Sequence, residues 1–254
     1  MTTILTEVDA AAAALADALA SARRAVVLTG AGISTESGIP DFRSPGGIWT
    51  RMKPILFETF LRSEAARLED WRRRFEMARL FAGAEPNAAH RGVARLAREG
   101  GIALVVTQNI DGLHARAGTP PDRLVEIHGT AAHAACLDCG RRHELDWAQE
   151  RIATTGAAPR CDCGGLVKAA VVSFGQPMPE PLVSRAVAAA ASADLFVSLG
   201  TSLVVYPVAA LPRIAWQAGA RLVIASRDAT ELDADADLVI RTSLAATFAT
   251  LEPQ

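Results

Sequence analysis

The chain has no excess of basic residues: 26 Lys and Arg stand against 28 Asp and Glu, a net charge of −2. That balance lacks the electrostatic footprint by which proteins bind nucleic acid or an anionic membrane surface. Long apolar runs are missing too, none approaching the roughly 20 residues of a membrane-spanning helix. Glu7, Asp9 and Asp17 in the opening segment speak against a secretory leader, so a cytoplasmic protein is expected. Aromatic residues make up only 5%, and no internal repeat or low-complexity linker is visible in this alanine-rich sequence. Cysteine is limited to four residues, whose spacing argues for a metal held by reduced thiols over disulfides.

What is present is an ordinary globular balance. Half of the 254 residues are hydrophobic, enough for one large domain or one domain carrying an inserted module. Short apolar runs at 25–28, 102–106, 124–127, 169–172, 194–199, 221–225 and 237–240 have the length of buried strands. Helical stretches fall at 6–21, 87–99, 180–191, 207–218 and 244–252. Asn87 is placed to cap the second and Gly100-Gly101 to stop it, while Pro212 predicts a kink or a late start in the fourth. Strands alternating with helices predict an α/β fold, a Rossmann-like parallel sheet with helices on both faces. Two segments break the rhythm. Residues 44–86 read as a helical insertion, and residues 130–168, which hold every cysteine, as a separate metal-folded lobe.

Three polar clusters sit at the ends of these runs. Gly30-Ala31-Gly32-Ile33-Ser34 follows the first directly, where a glycine turn lets backbone N–H groups face a pyrophosphate. Thr35 replaces the third glycine of the dinucleotide fingerprint, so a plain tight turn remains the alternative. The following Ser37-Gly38-Ile39-Pro40-Asp41-Phe42-Arg43 has the mixture of a loop folding over a ligand. Thr107-Gln108-Asn109-Ile110-Asp111 leaves a strand at the edge where open parallel sheets bind ligands. Asn109 and Asp111 suit a primary carboxamide there, or else an Asx-turn that closes the strand. His128, beside Gly129 at a third strand end, is placed as a general base. His90 reads as structural within a helix, and His114, His133 and His143 as loop or lobe residues open to solvent. Cys136, Cys139, Cys161 and Cys163 form two close thiolate pairs, a tetrahedral zinc cage with no open position and therefore a structural role.

Taken in order, GAGIS, GIPDFR, TQNID, the His-Gly after LVEI, the paired cysteines, VVSFG and GTSLVVYP cover about residues 25–210 and resemble the sirtuin family. The resemblance implies a single catalytic domain over 1–254, an NAD-dependent protein lysine deacylase with NAD as co-substrate and zinc as structural metal. Nicotinamide leaves C1′, the acyl oxygen attacks, and His128 takes a ribose hydroxyl proton; lysine, nicotinamide and O-acyl-ADP-ribose result. By the same resemblance His128, Asn109 and Asp111 are catalytic. Gly30, Ala31, Gly32, Ile33, Thr35, Asp41, Phe42, Arg43, Gln108, Asn109, Ile110, Asp111, Gly200, Thr201, Ser202 and Ser226 bind NAD. Val172, Phe174 and Gly175 line the acyl-lysine tunnel and pair with the substrate as an added strand. Acyl-lysine proteins or peptides are the implied partners of a monomer, with no nucleic acid and no membrane.

The chain departs from the family at Ser226, where asparagine is usual, at Gln176, where glutamate is common, and in the tight C-x-C pair. Succinyl- and malonyl-preferring members resemble one another in a Tyr-x-x-Arg pair, which is absent because the one tyrosine, Tyr206, lies in another motif. Trp71 and Arg74 keep the spacing, either as a carboxylate clamp or as the solvated face of a basic helix. Uncharged acyl groups, acetyl or longer, are therefore expected. Mono-ADP-ribosyl transfer or NAD hydrolysis on the same scaffold, and a non-catalytic NAD-binding zinc scaffold, are the alternatives.

Overall fold

The computed structural model describes residues 2–251, apart from the side chain of Arg51. Among the described residues ten strands run in chain order: β1 (Thr3–Leu5), β2 (Ala25–Thr29), β3 (Ile102–Thr107), β4 (Leu124–Glu126), β5 (Gly129–Cys136), β6 (Arg142–His143), β7 (Val167–Val171), β8 (Leu195–Leu199), β9 (Arg221–Ala225) and β10 (Leu238–Ile240). The helices are α1 (Val8–Ser21), α2 (Ile48–Arg51), α3 (Phe57–Arg62), α4 (Glu64–Ala82), α5 (Ala88–Glu99), α6 (Leu113–Arg116), α7 (Leu145–Thr155), α8 (Glu180–Ala191), α9 (Leu211–Gln217) and α10 (Leu244–Thr250). Position 252 of the last expected helix lies outside the described residues. Among the described residues no helix is long and apolar enough to cross a membrane.

Seven strands form a sheet in the order β1-β10-β9-β8-β2-β3-β4, with every pairing parallel. Its strands are apolar at successive positions because both faces are covered. In β2, Ala25 and Val27 join a core with Leu15 of α1, Val93 of α5 and Phe248 of α10. Val26 and Leu28 point the other way, into a core with Ala190 of α8 and Ala215 of α9. The chain leaves β2 toward β3 on one side and later returns to β8 on the other, which places a topological switch point beyond the carboxyl end of β2.

Local sequence explains the helix limits. The Asn87 side chain accepts from the Ala89 and His90 amides, while Asn87 N–H donates back to His90 Nδ1, a capping box that starts α5; Gly100 ends it in the left-handed region. Pro212 sits in the first turn of α9, where its missing N–H is not needed, and residues 208–210 form only a 3-10 turn before it. The fourth expected helix therefore starts late.

One expected strand belongs elsewhere. The run at 169–172 contributes to β7, which pairs antiparallel with β5 in a separate three-stranded sheet, β6-β5-β7. Cys136 ends β5, Cys139 lies in the turn before β6, and Cys161 and Cys163 lie in the loop between α7 and β7. Trp71 of α4 is fully buried among Ala134, Cys136, Ala148, Ala158, Cys161 and Val167, so the helical segment and the cysteine lobe share one core.

Candidate active site

The loops after β2 and β8 meet at the switch point at backbone distance. Gly30 N–H donates to Leu199 C=O at 3.0 Å and Gly32 N–H to Gly200 C=O at 2.8 Å. A Cβ on Gly32 would stand 2.7 Å from Gly200 Cα, and one on Gly200 would stand 2.4 Å from Ile33 N. The glycines are needed for this contact. Both glycine amides are thus engaged by protein backbone, so a pyrophosphate there would have to use other N–H groups of the turn.

Beyond the strand ends lies a cavity of about 740 Å³. Its wall contains Gly30, Ala31, Gly32, Thr35, Asp41, Phe42, Arg43, Gln108, Asn109, Ile110, His128, Val172, Phe174, Gly175, Gly200, Thr201, Ser202 and Ser226. Ile33 and Asp111 are not part of it. Ile33 is fully buried in the core, and Asp111 lies behind the wall, where Ser34 Oγ donates to its Oδ2 at 2.7 Å and Leu113 N–H to its Oδ1 at 2.9 Å. Burial pushes the Asp111 carboxyl up, against the pull of those two donors and of Arg116.

Ser34 is the hub of a buried polar network that strand-end reasoning did not find. Asn109 Nδ2 donates to Ser34 Oγ and to Gly30 C=O, each at 3.1 Å. Because His90 Nδ1 accepts from Asn87 N–H, its Nε2–H is the atom that faces Ser34 Oγ, at 3.3 Å. His114, expected in solvent, is buried instead: its Nε2 lies 2.9 Å from Thr29 Oγ1 and its ring 5.0 Å from that of His90. Burial depresses His90 to about 4, with Arg91 adding to it, and His114 to about 3, with His90 adding to it. Both rings are neutral at pH 7. A sequence signal for the pair existed only at His90, through its place three residues after the cap.

His128 leaves β4 toward the cavity. Its Nδ1 lies 3.1 Å from Gln108 C=O, which fixes the proton there and leaves Nε2 as the basic atom. Burial lowers its pKa below the ordinary 6.5, opposed by the Gln108 carbonyl. Gln108 Nε2 in turn donates to Thr201 Oγ1 at 2.9 Å, linking the β3 and β8 loops.

The 41–49 loop is tied to itself and to its neighbours. Asp41 accepts from the Arg43 and Ser44 amides and the Ser44 hydroxyl; these and Arg227 outweigh the effect of burial and hold its carboxyl below the ordinary value. Phe42 and Phe174 both pack against Trp49, at ring-centroid distances of 5.4 and 5.5 Å, and the Arg43 guanidinium lies 4.3 Å over the Trp49 ring.

The cysteine sulfurs lie within 4.8 Å of one another, with close pairs at 3.4, 3.5 and 3.7 Å. Disulfides need about 2.05 Å. A tetrahedron of thiolates each about 2.3 Å from zinc has edges of about 3.8 Å, so the four sulfurs fit a closed zinc site, and none of the four cysteines lines the cavity.

With this geometry established, the model of the Sir2 family matches residues 30–207. The chain belongs to the Sir2 family. The NAD-dependent protein deacetylase 1 of Bradyrhizobium diazoefficiens is 51% identical over 235 residues, 92% of each chain. The NAD-dependent protein deacetylase of Rhodopseudomonas palustris is 50% identical, covering 92% of this chain and 93% of that one. A solved Sir2 structure with a deacetylated peptide and 3′-O-acetyl ADP-ribose has a TM-score of 0.86 at 34% identity, over 94% of this chain and 96% of that one.

Within this Sir2 fold, α4 adds cavity residues that no motif announced, Asp70, Arg73 and Met77, beside Arg74, which the spacing from Trp71 had raised. Arg74 is not on a solvated face. Its side chain is 17% exposed and pairs with Asp70.

Proposed function

We propose that this chain is an NAD-dependent protein lysine deacylase that converts acyl-lysine, NAD and one water into lysine, nicotinamide and O-acyl-ADP-ribose. One observation carries the proposal: His128, Gln108 and Asn109 share a cavity with the 200–202 loop and with Val172 and Phe174. A dinucleotide lying from the 200–202 loop to Asn109 would bring its reactive ribose beneath His128, and an acyl-lysine entering past Phe174 would meet it there.

NAD, consumed as a substrate, supplies a glycosidic bond to a stable leaving group. The protein supplies the surroundings. Asn109 uses its Nδ2 on Ser34 and Gly30, which leaves Oδ1 as the acceptor for the carboxamide N–H of nicotinamide. Asp111 acts one step removed, by holding Ser34 and the start of α6. His128, neutral at pH 7 with Nε2 open, takes the proton of a ribose hydroxyl. Phe42, Trp49 and Phe174 keep water from the ribosyl carbon. A substrate strand along 172–175 pairs with groups not already engaged there, since Val172 N–H donates to His128 C=O and Phe174 C=O accepts from Phe57 N–H. Ser226 and the 200–202 loop hold the adenosine half, and zinc holds the lobe. Four thiolates on zinc call for a reducing compartment, in keeping with a cytoplasmic protein.

The test is an acetyl-lysine peptide with NAD, read by mass spectrometry. Deacetylated peptide and O-acetyl-ADP-ribose are expected in equal amounts, and His128→Ala should slow both by about 100-fold or more. ADP-ribose formed without peptide would indicate a hydrolase, and an ADP-ribosylated peptide a transferase. Binding of NAD with no turnover would leave a scaffold.

A further inference from the structure

Asp70 and Arg74 stand one helical turn apart on α4, and both reach the cavity wall. Arg74 Nη2 and Nε donate to the two Asp70 oxygens at 3.3 and 3.4 Å. Asp70 is 5% exposed, so the pair is held largely out of water. Behind the wall Lys168, 1% exposed, donates from Nζ to the carbonyls of Val171 and Ala169; burial and the Arg74 charge lower its pKa to about 8, with Asp70 opposing them. Arg73 in the same wall is already paired with Glu69. Met77 and Val171, also in the wall, make its other surface apolar. Buried ions persist when partnered, and removing one partner leaves the other demanding a counter-charge.

We infer that Asp70 sets acyl specificity: by holding the Arg74 guanidinium it makes the inner wall neutral, so the site rejects acyl chains ending in a carboxylate and accepts uncharged ones. The inference rests on the deacylase proposal. A carboxylate that reached Arg74 would have to sit beside the Asp70 carboxylate in a poorly solvated place, and like charges so placed repel strongly. An amide or hydroxyl at the same point meets both a donor and an acceptor. Without the Asp70 charge, Arg74 would stand in the wall as an unbalanced cation, and an anionic chain would be the best occupant.

The test compares two lysine peptides of one sequence, one succinylated and one carrying the terminal amide of the same chain, with the acetyl peptide as reference. The acyl groups match in length and differ in charge. The wild-type protein should favour the amide over the succinyl peptide by at least ~10-fold in kcat/KM. Asp70→Asn, of nearly equal volume, should lower that ratio at least ~10-fold, and adding Arg74→Met should restore it. Wild-type turnover of the succinyl peptide equal to or faster than that of the amide would overturn the inference, and this comparison stands even if a variant fails to fold. A ratio unchanged by Asp70→Asn in folded protein would overturn it as well. Absence of acetyl-peptide turnover would instead remove the deacylase proposal, and the inference with it.

Discussion

Replacing Gly129 with alanine would act at the joint between the histidine and the substrate strand. Gly129 has φ +78°, and a Cβ there would stand 2.0 Å from Ala170 O. A left-handed conformation costs a residue with a Cβ about 1–2 kcal/mol. The clash adds more, because β5 and β7 must draw apart by more than an ångström. The bond from Val172 N–H to His128 C=O, 2.9 Å long, is the first to go. Losing such a bond in a buried setting costs about 1–3 kcal/mol. The total of about 2–5 kcal/mol corresponds to a fall of roughly 4–20 °C in Tm for a chain of this size. Gly38→Ala is the control: its φ is +84°, yet nothing lies within 4 Å of the added Cβ, so only the conformational cost applies. Thermal unfolding of both variants at one scan rate separates the two contributions, and deacetylase assays should show Gly129→Ala also losing turnover as His128 shifts. Equal Tm losses in the two variants would refute the clash as the cause.

Two further outcomes follow from the buried histidines and the cysteines. An unfolded histidine takes its proton near pH 6.5, whereas folded His90 and His114 resist until about 4 and 3, so the unfolded state binds more protons and stability falls as pH drops from 6.5 toward 4. The urea midpoint should drop between pH 7 and pH 5, less steeply in His90→Gln; a midpoint that stays level would contradict the burial of both rings. The purified protein should carry one zinc, and Cys163→Ser should release it and shift the emission of Trp71, which packs against Cys136 and Cys161, to longer wavelength. Metal-free protein with the same emission spectrum would show that the lobe needs no zinc.

The sequence alone determined much of this molecule. Runs such as AVVLT and LFVSL are apolar on both faces, and that is the composition of strands covered on both sides, so the parallel sheet was legible. Asn87, Gly100 and Pro212 marked helix limits because capping is a local matter. The motifs at the carboxyl ends of β2, β3 and β4 pointed to the cavity for the same reason: a strand end is readable without knowing the neighbours. Tertiary structure decided the rest. β1 is three residues long and β5 is mostly small residues, so neither shows a period, and β7 resembles the sheet strands in every local respect and differs only in its partner. Pairing partners also decided that the Gly30 and Gly32 amides bond to the β8 loop, that Asp111 stands behind Ser34, and that His114 is dry. Asp70 and Arg74 sit in a helix whose charged sequence looks solvated, and only the packing of Trp71 into the zinc lobe turns that face inward. Direction and burial of a side chain depend on residues far away in the chain, and spacing along one segment does not encode them.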